Sequence, residues 1–136
     1  MIINSEKPAS RLVAQKAAAL LIDSGRTIGC DVVTSELVGL KSAVYPDAES
    51  LAHAVDLILV FGGDGTMLRV VREINGALTP ILGVNVGRLG FLTAVPSKVL
   101  PKALDQVWKG DFEIEARPLL KAHGESRGKK ISLRAL

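Results

Sequence analysis

Residues 57–71 read LILVFGGDGTMLRVV, a continuous apolar run that ends in a glycine-rich turn before a second apolar pattern begins. Five of the six residues in DLILVF, 56–61, are apolar, which is typical of a strand covered on both faces, as in parallel sheets. From Met67 onwards apolar residues recur at helical spacing, and Asn75-Gly76 is a typical C-terminal stop. The stretch therefore predicts a buried strand, a glycine loop and a helix.

The same alternation extends in both directions along the chain. Further strands are predicted at 1–3, 27–33 and 80–86, and further helices at 5–25, 48–55 and 97–110, whereas 34–47 stays ambiguous. The predicted apolar stripe of the first helix is Leu12, Val13, Ala17, Leu20 and Leu21. Pro101 has to lie in or near the first turn of the last helix, which ends at Gly110. Strands separated by helices predict an α/β fold, a Rossmann-like, doubly wound and mostly parallel sheet.

Beyond residue 112 the pattern becomes that of an antiparallel sheet. FEIEAR, 112–117, alternates strictly between apolar and charged residues, and LLKA and KISLRAL continue in extended style around a polar HGESRGKK loop. A lone hairpin is marginal in water. We therefore expect an α/β domain at 1–112 and the first strands of a truncated C-terminal β domain at 113–136, so that the chain would be an N-terminal fragment.

The composition restricts the class of protein. A chain of 136 residues, 48% hydrophobic and 23% charged, has the composition of one globular domain rather than a disordered segment. Cys30 has no partner for an internal disulfide, and His53 and His123 lie too far apart in sequence for a metal cluster. Without a signal peptide or an apolar span, we expect a cytoplasmic protein with no membrane partner. The net charge of +3 fits an anionic small molecule and does not require nucleic acid.

The glycine loop at the end of the predicted central strand is suited to binding an anion. Gly62, Gly63 and Gly65 let the backbone approach a ligand at the carboxyl end of a strand, where open α/β sheets bind ligands. Thr66 is expected to cap the following helix, whose free N–H groups favour phosphate. Asp64 is itself an anion, so a cation such as Mg²⁺ or a substrate hydroxyl should lie between it and a phosphate.

Several common motifs do not fit these residues. The dinucleotide fingerprint would need glycine at Leu68, and the Walker phosphate loop needs a Lys-Ser/Thr pair that the loop lacks. GRLG at 87–90 matches the clamp of KH domains but follows a predicted buried strand. Three further candidates could bind a ligand or have only a structural role. Asn85 could satisfy the end of a strand, Arg69 could be a solvated residue on a helix face, and Phe91 could belong to the core.

Two segments together carry a resemblance to a known family. FGGDGTMLR, 61–69, followed by GVNVGRLGFLT, 83–93, resembles the NAD kinases, which share a GGDG-containing α/β domain with diacylglycerol kinases, sphingosine kinases and 6-phosphofructokinases. GGDG alone does not choose among these families, and the second segment favours NAD kinase. FEIEARPLL is similar to the crossing strand of the family.

The resemblance implies a kinase that moves a phosphoryl group from ATP or polyphosphate, with Mg²⁺ or another divalent cation, to the 2′-hydroxyl of the adenosine ribose of NAD, giving NADP. Asp64 matches the family's catalytic aspartate, which would also contact the metal ion that the phosphates carry. The nucleotide-binding positions would be Gly62, Gly63, Gly65, Thr66, Arg69, Asn85, Gly87, Leu89, Gly90 and Phe91. Because a carboxylate of pKa about 4 is a poor base for an alkyl hydroxyl, Asp64 should mainly position its substrate.

The resemblance also implies a homo-oligomer and a second, β-rich domain that supplies much of the NAD pocket. The Asn-acidic pair that follows the last strand in the family is not in these 136 residues, so we expect little kinase activity from this polypeptide alone. Two alternatives stay open at this point: another GGDG kinase with a lipid or sugar acceptor, and a non-catalytic nucleotide-binding or interaction fragment.

Overall fold

The computed structural model describes residues 1–88, 90–126 and 128–135. The strands are β1 (Ile2–Ile3), β2 (Gly29–Asp31), β3 (Ala43–Tyr45), β4 (Ile58–Gly62), β5 (Ile81–Asn85), β6 (Val95–Pro96), β7 (Leu120–Ser126) and β8 (Lys129–Ala135). The helices are α1 (Pro8–Asp23), α2 (Val32–Val38), α3 (Ala48–Ala54), α4 (Asp64–Glu73) and α5 (Leu100–Lys109), the last preceded by a 3₁₀ turn at Ser97–Val99. No helix among these residues is long and apolar enough to cross a bilayer.

The main sheet is parallel and has the order β1-β4-β5-β6. β4 lies inside the sheet, with Val60 opposite Ile2 of β1 and Gly62 opposite Asn85 of β5. β2 and β3 form a separate parallel pair, joined to the start of β1 by a hydrogen bond of 2.6 Å from the Met1 ammonium to the Gly29 carbonyl. The predicted α/β fold with a mostly parallel sheet is confirmed. The short strand β6 was not predicted.

Helices cover both faces of β4, as the continuous apolar run predicts. Because side chains alternate along a strand, Leu59 and Phe61 face one side and Ile58 and Val60 face the other. The first pair packs in a cluster whose helical members are Ala14, Ala17, Ala18, Val38, Leu100 and Leu104. The second pair packs in a cluster whose helical members are Ala48, Leu51, Ala52, Met67 and Val70. The sheet is therefore doubly wound.

Two local predictions in the first third of the chain were wrong. The strand predicted at 27–33 ends at Asp31, because the Asp31 carboxylate accepts a hydrogen bond of 2.8 Å from the Thr34 N–H and so caps a helix that begins at Val32. In α1 the predicted apolar stripe was wrong at Leu12, which is 62% exposed, whereas its other four residues lie in or against the core. The fully or nearly fully buried positions of that helix are small residues: Ser10, Ala14, Ala17 and Ala18. Small side chains let α1 pack closely on the sheet.

The C-terminal segment departs most from the prediction. Residues 112–117 form no strand, because no strand of the described residues pairs with them, and Phe112 and Ile114 are exposed. β7 and β8 pair antiparallel with each other, Leu120 opposite Ala135, as the extended pattern of LLKA and KISLRAL predicts. The predicted polar loop at 123–130 was too long, since β7 runs to Ser126 and β8 begins at Lys129, and Gly128 before β8 has φ +75°. Arg127 and Leu136 lie outside the described residues.

Candidate functional site

An open cleft of about 820 Å³ lies at the carboxyl edge of the main sheet. Three segments line it: residues 4–7 after β1, residues 63–66 after β4, and Arg88 and Gly90 after β5. Parallel pairing of these three neighbouring strands places the three segments at the same edge. The structure thus brings the GGDG segment and the GVNVGRLGFLT segment to one site.

The GGDG loop turns directly into α4. Asp64 is the first residue of this helix and Gly63 is its N-cap, so the prediction that Thr66 caps the helix was wrong. Thr66 is buried within the first turn, where its Oγ1 accepts a hydrogen bond of 3.2 Å from Asn4 Nδ2. A Cβ at Gly62 would overlap the Thr66 side chain. Glycine at 62 is therefore required for the helix to start this close to β4.

The carboxylate of Asp64 binds the loop that follows β5. Its Oδ2 accepts a hydrogen bond of 2.8 Å from the Phe91 N–H, and its Oδ1 accepts one of 3.1 Å from the Leu92 N–H. A Cβ at Gly90 would overlap this carboxylate. Asp64 and residues 90–92 can approach this closely only because residue 90 is glycine.

These contacts hold the pKa of Asp64 below its ordinary value of 3.8. The Phe91 N–H is the main cause and the Leu92 N–H the next, because both stabilise the ionised form, and partial desolvation opposes them. Asp64 is therefore an anion at neutral pH and a weak acceptor of protons.

Asn85 organises the loop from inside. Its Oδ1 accepts a hydrogen bond of 2.9 Å from the Gly87 N–H, and its Nδ2 donates to the Arg88 carbonyl at 2.9 Å and to Thr93 Oγ1 at 2.7 Å. Asn85 is 4% exposed and Thr93 is 1% exposed. The side chain of Asn85 is thus engaged within the loop, and its predicted contact with a nucleotide stays a prediction.

Of two other predicted residues, Arg69 lines the cleft, and Phe91 is outside the set of lining residues. The Arg69 guanidinium donates to the Glu73 carboxylate at 2.9 and 3.1 Å and to the Ile3 carbonyl at 3.2 Å. It therefore links α4 to β1. Phe91 is 96% exposed and so is not part of the core. Leu89, also predicted to bind nucleotide, lies outside the described residues.

Lys7 is the main site residue that the sequence analysis missed. A Cβ at Gly63 would lie 3.9 Å from Lys7 Nζ, and one at Gly87 would lie 3.7 Å from it. The ammonium group therefore lies between the two glycine loops, and within the described residues it forms no ion pair. Arg88 also lines the cleft. The sequence signal that could have identified Lys7 is its position in the short loop between β1 and α1, three residues after Asn4.

The donor set for a metal ion is small. The described residues hold no cluster of three or more His, Cys, Asp or Glu side chains that could bind a metal by themselves. Asp64, Glu6 and Asp31 all line the cleft. Mg²⁺ commonly binds through one or two carboxylates, phosphate oxygens and waters, so this set fits a cation that arrives with a phosphate chain.

A family model and curated relatives match this chain. The model of the ATP-NAD kinase N-terminal domain matches residues 1–112. The NAD kinase of Syntrophotalea carbinolica is 45% identical over 126 residues, which cover 90% of this chain and 44% of that protein. The NAD kinase of Acidovorax sp. strain JS42 is 36% identical over 118 residues, which cover 87% of this chain and 40% of that protein. The chain thus spans well under half the length of these relatives.

A solved structure has a similar fold. The crystal structure of yeast NADH kinase complexed with NADH has a TM-score of 0.81 and 20% sequence identity, and the match covers 98% of this chain and 44% of that one. At this identity the likeness shows the fold alone.

Proposed function

This chain belongs to the NAD kinase family through that family's N-terminal domain, and we propose that it contributes the phosphoryl-transfer half of an NAD kinase site. The reaction would move the terminal phosphoryl group of ATP, or of polyphosphate, to the 2′-hydroxyl of the adenosine ribose of NAD. The observation that carries the proposal is the position of Asp64, at the start of α4 and bound to the loop after β5. We also propose the domain division at 112–113, a cytoplasmic location and a homo-oligomeric enzyme.

Positive groups on one side of the cleft support a site for the phosphates of the donor. The first turn of α4 presents backbone N–H groups and the positive end of the helix dipole. Lys7 and Arg88 line the same cleft and add positive charge to it, and Glu6 and Asp31 also line it. A chain of phosphates lying along Gly63 would meet the Lys7 ammonium, which is 3.9 Å from the position of a Cβ there.

Asp64 supports a role in orienting the acceptor hydroxyl. Its lowered pKa makes it a weak base but keeps it ionised, so it accepts a hydrogen bond from the hydroxyl and holds it for attack. In phosphoryl transfer most of the acceleration comes from such positioning and from charge neutralisation. A Mg²⁺ ion carried by the phosphates of the donor would neutralise their charge during the transfer.

A chimeric enzyme tests the proposal. Residues 1–136 are joined to the C-terminal part of the Syntrophotalea carbinolica relative, and NADP formation from NAD and Mg-ATP is measured by an NADP-specific coupled assay. Diacylglycerol and fructose 6-phosphate serve as rival acceptors. We expect phosphorylation of NAD, reduced by at least about 100-fold in Asp64→Asn, on the scale of losing one positioned group.

The proposal fails if the folded chimera phosphorylates only a rival acceptor. It also fails if the folded chimera binds Mg-ATP but phosphorylates nothing, or if Asp64→Asn keeps full activity. Circular dichroism of each variant confirms that the assay compares folded proteins.

A further inference from the structure

Asn85 determines which hydrogen bond the buried Thr93 hydroxyl accepts and which it is free to donate, next to the Asp64 carboxylate. The orientation of the Asn85 amide follows from two partners, because the Gly87 N–H can only donate and the Arg88 carbonyl can only accept. The Asn85 NH₂ group therefore also faces Thr93 Oγ1, at 2.7 Å, and donates to it. Thr93 accepts this bond, so its own hydroxyl proton is left for another acceptor.

Asp64 is the acceptor that the geometry offers to that proton. Thr93 Oγ1 lies 3.5 Å from Asp64 Oδ1, longer than an ordinary O–H···O bond of about 2.5–3.0 Å. Hydrogen bonds in catalytic sites are often long before the ligand binds and shorten afterwards. The chain of donors runs from the Asn85 amide to the Thr93 hydroxyl to the Asp64 carboxylate.

The backbone around Thr93 is held by the sheet. A Cβ at Gly83 of β5 would lie 3.1 Å from the Thr93 Cα and 3.3 Å from the Leu92 carbonyl oxygen. Glycine at 83 thus lets residues 92–93 lie directly against β5. Thr93 cannot move far from Asp64 while this packing is kept.

The distribution of donors distinguishes the two oxygens of Asp64. A carboxylate accepts about four hydrogen bonds, two on each oxygen. Among the described residues, Oδ1 receives hydrogen bonds from the Leu92 N–H and the Thr93 O–H, whereas Oδ2 receives one, from the Phe91 N–H. The remaining acceptor position is therefore on Oδ2.

We infer that Thr93 is a positioning residue, whose hydroxyl, oriented by Asn85, fills the second acceptor position of Asp64 Oδ1 and leaves Oδ2 as the oxygen that receives the acceptor hydroxyl. The catalytic meaning of this arrangement rests on the proposed function. The hydrogen-bond relay itself does not, since it is a property of the chain without any ligand.

Amide hydrogen exchange in the ¹⁵N-labelled chain, followed by NMR, tests the relay. In Thr93→Val, which keeps the shape but removes the hydroxyl, Asp64 loses one contact that fixes it. The amides of Phe91 and Leu92 should then exchange roughly two- to tenfold faster, as expected for a weakened hydrogen bond. Thr93→Ser should restore rates close to those of the wild type.

Thr79→Val is the matched control. Thr79 Oγ1 donates to the Ala52 carbonyl at 2.6 Å, away from the cleft, so this variant removes a threonine hydrogen bond without touching Asp64. It should leave the exchange of the Phe91 and Leu92 amides unchanged. The inference is overturned if Thr93→Val leaves these rates at the wild-type level, or if Thr93→Ser is as fast as Thr93→Val.

A measurement on the wild-type chain covers the case in which Thr93→Val does not fold. The Thr93 hydroxyl proton and the Leu92 amide proton point at the same oxygen, so a nuclear Overhauser contact between them is expected. A hydroxyl proton directed away from the Leu92 amide contradicts the relay. Absence of kinase activity in the folded chimera would overturn the proposed function and leave these exchange results standing, so the two failures are distinguishable.

Discussion

β4, Ile58–Gly62, and residues 112–117 both have sequence patterns of strands, but only β4 forms one. β4 pairs with β1 on one side and β5 on the other, and all five of its residues are buried. Residues 112–117 alternate more regularly, yet they pair with no strand of the described residues and are exposed. An apolar pattern thus predicts a strand only where a partner edge and a covering face are available.

The largest expected change in the free energy of unfolding is at Phe61 of β4, and Phe112 is the phenylalanine to compare with it in the exposed segment. Phe61 is completely buried in β4, so Phe61→Ala should lower the free energy of unfolding by about 3–5 kcal/mol. Phe112 is 51% exposed, so Phe112→Ala should change it by no more than about 0.5 kcal/mol. Urea denaturation measures both. A loss at Phe112 as large as that at Phe61 would mean that 112–117 is covered in solution.

Two glycines, Gly90 in the candidate site and Gly124 in β7, differ in the space available for a side chain. A Cβ at Gly90 would overlap the Asp64 carboxylate, so Gly90→Ala should cost about 1–3 kcal/mol of unfolding free energy through overpacking. Apart from its chain neighbours, no atom of the described residues lies within 4 Å of the Cβ position of Gly124 in β7, and Gly124→Ala should be neutral or stabilise by up to about 1 kcal/mol. Equal destabilisation by the two changes would contradict the close approach at Gly90.

The pH dependence of stability separates Asp64 from the acidic residues of 112–117. The Phe91 and Leu92 N–H groups lower the pKa of Asp64 in the folded chain, so ionised Asp64 stabilises the fold above its ordinary pKa of 3.8. That contribution is lost as pH falls from 3.8 through the lower folded value. The free energy of unfolding of Asp64→Asn should therefore differ most from that of the wild type at neutral pH, and the two values should converge in acid.

Glu113→Gln is the control for this measurement, because Glu113 lies in the exposed segment. The free energy of unfolding of this variant should follow that of the wild type from about pH 7 to about pH 3, because an exposed side chain without a described partner contributes little to stability. A difference between Asp64→Asn and wild type that stays constant across this range would argue against the hydrogen bonds of Asp64.

The smallest expected effect on stability concerns lysines. Lys7→Ala and Lys121→Ala should each change the unfolding free energy by no more than about 0.5 kcal/mol, since both side chains are exposed. Only Lys7→Ala should weaken Mg-ATP binding, roughly tenfold for one charge-assisted hydrogen bond, as measured by calorimetry. Equal weakening by both changes would indicate general charge attraction rather than a contact at the cleft.

Much of the α/β part of the fold was readable from local pattern. The buried run at 56–61, the helix after it and Gly110 as the end of α5 follow from period and glycine placement, and the structure has all three. The errors at 27–33 and 112–117 have different causes. At 27–33 a capping carboxylate, Asp31, competed with strand propensity and started a helix. At 112–117 the local pattern was right for a strand, but the pairing that completes a strand is not local.

In the candidate site too, some residues can be identified from local sequence and others only from the fold. Its glycines and Asp64 stand out in the sequence because a carboxylate between glycines at a strand end is unusual, and the resemblance to NAD kinases implies a binding or catalytic role for them. Lys7 and Thr93 did not stand out. They lie 57 residues before and 29 residues after Asp64, and parallel pairing of β1, β4 and β5 together with the close approach at Gly83 brings them to it.

The sequence by itself determined the doubly wound α/β class, the glycine loop and the carboxylate between its glycines, since these depend on residues near one another in the chain. Only the tertiary structure decided which groups hold that carboxylate. Asp64 is bound by backbone N–H groups of Phe91 and Leu92, and a backbone N–H is present at every residue except proline, so no sequence motif reveals which of them will donate. That choice follows from strand register and from the space left by glycine at 83 and 90.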